Sequence, residues 1–97
     1  MAKRPIAPEQ LRRLRDGIDV LRLMGDLGIE LTFRGSRLRF RCPKCDRFET
    51  RLNRERNLGH CFRCQRRFNT IDIVMAARRW SFLNTVDYLE RLHSTKG

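Results

Sequence analysis

The sequence has little that would take it into a membrane or out of the cell. Its longest uninterrupted apolar run, Ile73–Ala77, is five residues, against the ~20 needed to span a bilayer. Met1-Ala2-Lys3-Arg4 leads into Pro5 and charge, not into an apolar stretch. No secretory signal is read there, and a cytoplasmic location is expected. Acid is also scarce: 11 Asp and Glu stand against 22 Lys and Arg, a formal charge of +11. There is no Asp-x-Asp or similar carboxylate cluster to hold Mg²⁺ for phosphoryl transfer. The acids Asp16, Asp19, Asp26, Glu30, Asp72 and Asp87 read instead as helix-terminus or helix-surface groups. The chain is therefore not expected to be an enzyme on its own. Its 97 residues leave room for a single domain, 1–97.

What is present is basic, and concentrated. Between Arg34 and Arg67 lie twelve basic residues against three acids, a net of +9. That excess draws a small protein to polyanions. All four cysteines lie in the same segment, so the charge and the expected structural site coincide.

Along the chain, residues 1–7 read as a loose basic arm. Pro8 fits the first turn of a helix and Glu9 its positive end. Leu11 and Leu14 share one face, and Gly17 ends the run. Ile18–Leu27 reads as a second helix with Val20, Leu21, Met24 and Leu27 on its apolar side, Asp19 near its start and Gly28 as its stop. The period then becomes two. Ile29, Leu31 and Phe33 alternate with Glu30, Thr32 and Arg34, and after Gly35-Ser36, Leu38 and Phe40 alternate with Arg37, Arg39 and Arg41. This is a β-hairpin pattern. One face is expected to pack, and the other to carry guanidiniums about 6.6 Å apart along one strand. A further strand pair is expected within 46–57, ending at Leu58. After the last cysteine, Asn69 or Thr70 can cap a helix through Ile71, Ile73, Val74, Met75 and Ala77. Ser81 can cap a last helix with Phe82, Val86, Leu89 and Leu92 on its buried side, Trp80 filling the joint. Residues 93–97 read as frayed.

Cys42-x-x-Cys45 and Cys61-x-x-Cys64 are separated by fifteen residues. This double Cys-x-x-Cys spacing points to zinc. Each two-residue gap lets the chain curl so that two sulfurs reach one ion, and the second pair closes a tetrahedron. Four protein ligands leave no open position, so one structural Zn²⁺ is expected, and the middle of the chain is expected to depend on it. Iron in a tetrahedral sulfur site is the alternative that geometry alone does not separate. His60 offers a possible substitute ligand, against its reading as a surface neighbour. Arg41, Arg47, Arg63 and Arg66 flank the cysteines, and part of their charge can serve a tetrathiolate site that carries −2.

These residues together resemble a known family. Cys42-Pro43-x-Cys45, Gly59-His60-Cys61-Phe62-x-Cys64, Ile71-Asp72-Ile73-Val74-Met75, Trp80-Ser81-Phe82 and Val86-x-x-Leu89 are similar to the zinc-binding domain of bacterial DnaG-type DNA primases, from about residue 8 to 92. Cys45 stands where the family usually has histidine. The family's glycine-rich stretch after the last ligand is here Gln65-Arg66-Arg67-Phe68-Asn69, and its Lys-x-Pro-Ser-Phe segment is missing. The resemblance implies an α+β domain: a small zinc ribbon of about four to five antiparallel strands flanked by N- and C-terminal helices. It implies a basic sheet face on single-stranded template DNA, and a separate catalytic primase or polymerase, or a helicase, as protein partner. Arg34, Arg37, Arg39, Arg41, Arg54, Arg56, Arg63 and Arg66 are the expected phosphate contacts, and Phe62 or Phe68 a stacking platform if not core. The chain reads as a stand-alone accessory protein in preference to a fragment of a longer primase. The other readings are an adaptor docking through Trp80 and Tyr88, and a transcription or RNA-binding zinc ribbon.

Overall fold

A computed structural model describes residues 6–35 and 37–94. Its elements are α1 (Pro8–Asp16), α2 (Val20–Leu27), β1 (Leu31–Arg34), β2 (Arg37–Phe40), β3 (Thr50–Asn53), β4 (Leu58–Cys61), β5 (Arg66–Phe68), α3 (Thr70–Arg78) and α4 (Phe82–Ser94). The five strands form one antiparallel sheet in sequence order. The expected α+β ribbon with flanking helices is what the chain forms.

Local chemistry accounts for the helix ends. Pro8 opens α1 with Glu9 in its first turn. The Asp19 carboxylate accepts from the Leu21 N–H, so α2 starts at Val20 and not at Ile18. Gly28, at φ +71°, ends α2 in the left-handed conformation that glycine adopts at little cost. Asn69 and Asp72 form a reciprocal capping box at α3. Ser81 Oγ accepts the Asn84 N–H at the start of α4.

Leu14, Val20, Leu23, Met24, Ile73, Val74, Val86 and Leu89 from the four helices are fully buried, and they join Phe40, Cys42, Cys61 and Phe68 from the ribbon in one core. The Thr70 hydroxyl donates to the Leu14 carbonyl at 2.8 Å inside it. Several expectations change here. Phe82 is exposed, because Thr85, Val86 and Leu89 set the buried stripe of α4. Ile6 packs against the core and residues 93 and 94 are helical, so neither end is loose there; residues 1–5 and 95–97 lie outside the described residues. Leu58 opens a strand and does not end one. The hairpin does not pack along one whole face: Phe40 is buried, but Leu31 and Phe33 on the same face are exposed, since the helices reach only its near end. Gly35 turns the hairpin at φ +63°; Ser36 lies outside the described residues.

The Asn57 side chain ties the β3–β4 turn to the helices by hydrogen bonds. Asn57, itself at φ +55°, donates through Nδ2 to the Arg15 and Ile18 carbonyls, each at 2.6 Å, and accepts the Val20 N–H at 2.8 Å. It thereby satisfies main-chain groups between α1 and α2 that helix formation leaves open. Each such bond contributes about 1 kcal/mol net. Asn57→Ala is therefore expected to cost about 3 kcal/mol in a denaturant melt of the metal-loaded protein. A midpoint within error of wild type would contradict that role.

Candidate functional site

The four cysteines meet at one point. Cys42 Sγ lies 3.8 Å from Cys64 Sγ and Cys45 Sγ 3.7 Å from Cys61 Sγ, and all four sulfurs lie within 4.8 Å of one another. Sulfurs at the corners of a tetrahedron with ~2.3 Å bonds are about 3.8 Å apart, so the cage has the size of a tetrathiolate metal site. Its two halves are built alike. Cys42 Sγ accepts the N–H groups of Lys44 (3.4 Å) and Cys45 (3.5 Å), and Cys61 Sγ accepts that of Cys64 (3.3 Å). The residue after each second cysteine, Asp46 and Gln65, has a positive φ, 61° and 56°, which turns the chain back toward the sheet. The Asp46 N–H returns to the Cys42 carbonyl at 2.9 Å, and the Gln65 side chain donates to the Phe62 carbonyl at 2.7 Å.

The sulfur electrostatics also fit a cation. Burial, the largest single effect, opposes ionisation of Cys61, but the Cys64 N–H, the Thr50 hydroxyl and the Cys64 and Cys42 thiols together outweigh it, and Cys61 falls to about 7. Burial and the neighbouring sulfurs push Cys64 up to about 12, and burial raises Cys45. Ionising Cys45 and Cys64 beside Cys61 is thus opposed unless a metal ion supplies positive charge. These residues suit Zn²⁺, which would brace the two turns on the sheet and, with four protein ligands, offer no position for a reacting water.

Sheet register sorts the basic residues into two faces. Thr32, Arg39, Arg51, His60 and Arg67 stand opposite one another across all five strands. The neighbouring row, Leu31, Phe40, Thr50, Cys61 and Arg66, points the other way, toward the helices and the sulfur cage. His60 accordingly stands on the face away from the cage and is not a ligand; its ring meets Phe62 edge to face at 4.8 Å. Phe62 is 44% exposed, with the Arg39 guanidinium 6.0 Å from its centroid, whereas Phe68 is buried. Arg37, Arg51, Arg54, Arg56, His60, Phe62 and Arg67 line an open cleft of 660 Å³ on this face. Glu55 is the only carboxylate among its lining residues.

Of the expected phosphate contacts, Arg37, Arg39, Arg54 and Arg56 fall on or around this cleft, and Arg34 is paired with Arg37 at the hairpin end. Arg54 also lies 3.6 Å from Asp19. Arg63 is exposed on the second cysteine turn. Two do not belong. Arg41 donates to the Asp46 carbonyl, pairs with Glu30 at 3.4 Å and covers the Phe48 ring at 4.7 Å, so it steadies the first cysteine turn. Arg66 lies over Phe68 on the opposite face, because its register partner is Cys61. Conversely, Arg51, His60 and Arg67 share the Arg39 face and line the cleft, and they are not among the residues that spacing along one strand singles out. Their signal was present: with Cys61 and Phe68 turned inward, strand alternation turns His60 and Arg67 outward.

The family model for the CHC2 zinc finger, a DnaG zinc ribbon, matches residues 6–96. No curated protein matches the chain.

Proposed function

This chain belongs to the CHC2 zinc finger family of DnaG-type zinc ribbons, and from that premise we propose that it is a non-catalytic module that binds single-stranded template DNA and assists a separate primase, polymerase or helicase at the start of replication. The observation that carries this reading is the Arg39–Arg51–His60–Arg67 row. Like charges placed directly opposite on adjacent strands destabilise a sheet, and here Arg39 and Arg51 stand one strand step of about 4.8 Å apart, with Arg67 two steps further along beyond His60 and no carboxylate in the row. The Arg39 Nε is buried without a partner. A surface built this way is relieved by an anion. A phosphate backbone crossing the strands would meet the guanidiniums in turn, and Phe62 beside them would take a base on its exposed ring. In this reading the metal holds β4 and the turn before β3 in place and takes no part in chemistry.

The adaptor reading through Trp80 and Tyr88 is less favoured. Both are half-buried, and their rings pack edge to face on each other at 5.4 Å, so neither is free as an anchor. For DNA, affinity for a single-stranded oligonucleotide is expected to fall with log[salt] at a slope of about −3.5 for ~5 neutralised phosphates. Arg39→Ala/Arg51→Ala/Arg67→Ala should flatten that slope by about 2 and leave the thermal melt unchanged or slightly raised. A salt-independent affinity, or an unaltered slope in the triple variant, would overturn the assignment. Parallel titrations with duplex DNA and RNA separate template binding from a transcription or RNA-binding role.

A further inference from the structure

The basic face leaves one feature unused: the edge of the sheet at β1, which no other strand pairs with among the described residues. The Arg41 N–H donates to the Glu30 carbonyl at 3.0 Å. That sets the phase of the β1–β2 ladder, so Glu30, Thr32 and Arg34 spend their main-chain groups on β2. The N–H and C=O of Leu31 and Phe33 therefore point outward from the edge. The same two residues have exposed apolar side chains, 38% and 69%, on the face opposite Thr32 and Arg34. Natural sheets shield such edges with charge, proline or a bulge; Leu31-Thr32-Phe33 carries neither charge nor proline, and Arg34 alone is charged at the strand's end.

We propose that β1 pairs antiparallel with β1 of a second copy of this chain, about a two-fold axis at Thr32, joining two five-stranded sheets edge to edge. The segment is self-complementary in this register and its charges say so. Leu31 stands opposite the partner's Phe33, and these are the residues whose outward main-chain groups are available, so they form the bonded pairs. Thr32 faces the partner's Thr32 as a non-bonded pair. Glu30 stands opposite the partner's Arg34, twice by symmetry, as an isologous interface requires. On one side, Leu31, Phe33 and Leu38 of both copies merge into a shared apolar patch. On the other side the arginine rows of the two sheets become continuous. The contact is small, so association in the micromolar-to-millimolar range is expected, not an obligate dimer. Net charge opposes it, which makes moderate salt the condition of measurement: at about 0.15 M the Debye length is about 8 Å, shorter than the reach between most of the basic groups.

The test is sedimentation velocity of the zinc-loaded full chain over a concentration series at that salt. Wild type is expected to shift from monomer toward dimer as concentration rises. Glu30→Arg and Arg34→Glu each place like charges opposite one another, and each alone should weaken association at least tenfold. Mixed one to one, the two variants regain opposite charges at both positions and should associate as well as wild type. Circular dichroism and one bound zinc per chain establish that each variant is folded, since Glu30→Arg also removes the contact of Glu30 with Arg41, and Thr32→Cys should yield a covalent dimer under mild oxidation while the other cysteines hold metal. A wild type that stays monomeric throughout overturns the proposal. So do single variants that associate undiminished, or a mixture that fails to recover.

Discussion

Removing the metal ion is expected to abolish the cooperative thermal transition of this protein. Chelation at neutral pH should erase the strand signal in circular dichroism and the amide protection of β2 to β5. Structural Zn²⁺ in small modules contributes ~10–16 kcal/mol of apparent binding free energy, and a whole domain has a net stability of only about 5–15 kcal/mol. The coupling here is direct. Cys42 and Cys61 are buried members of the same core as Phe40, Phe68 and the helices. The turns that carry them are held by N–H groups donated to sulfur. Without the ion, Cys45 and Cys64 are held toward the protonated thiol, and the two halves of the cage have nothing to join them. Acid should act as the chelator does. Metal binding needs thiolates, so affinity falls as pH falls; with Cys45 and Cys64 raised, zinc must displace protons from both. Cys61→Ser should reproduce the loss, since it removes the fully buried ligand. A spectrum and melting curve unmoved by chelation would show that the cage is not what holds the ribbon together.

Gly59→Val is expected to be among the most damaging single substitutions outside the cysteines, at about 3 kcal/mol, the upper end for overpacking a closed core. In a domain of this size that lowers Tm by roughly 12–24 °C. Gly59 has an ordinary backbone conformation, so the reason is space. The Phe40 ring lies across it, and an added Cβ would overlap Phe40 Cζ, sit 2.6 Å from Cε1 and stand 3.2 Å from Thr50 Cγ2. Phe40 is fully buried and has nowhere to go, while Thr50 beneath it is paired with both Phe40 and Cys61. Phe40→Leu should therefore recover part of the loss: the double variant is expected to be more stable than the two single losses added together. Strict additivity would show that the ring is not the obstacle. The same packing explains why His60 and Phe62 are displayed outward. A ring pressed onto Gly59 holds β4 flat against β3, and the alternate residues of β4 have only the open face left.

Spacing and residue chemistry by themselves determined the parts that depend on near neighbours. Two residues between cysteines make a sulfur-gripping turn in whatever fold surrounds them. Asp19, Gly28, Asn69 and Ser81 mark helix ends because capping is settled within a turn of chain. The concentration of arginine between residues 34 and 67, coincident with the cysteines, was legible before any fold was known. The tertiary structure decided what depends on register. Guanidiniums read along one strand, at Arg37, Arg39 and Arg41, were expected to form the basic row; the row that exists runs across strands, through Arg39, Arg51, His60 and Arg67. Arg41 was lost from it to Glu30 and Asp46, and Arg66 because a three-residue strand paired with Cys61 turns it inward. Asn57, inside a polar stretch with no periodicity, gave no hint that its side chain would reach Arg15 and Ile18 some forty residues earlier. Pairing across strands is fixed by which side chains must be buried together, here Phe40, Thr50, Cys61 and Gly59, and that condition exists only once the chain has closed on itself.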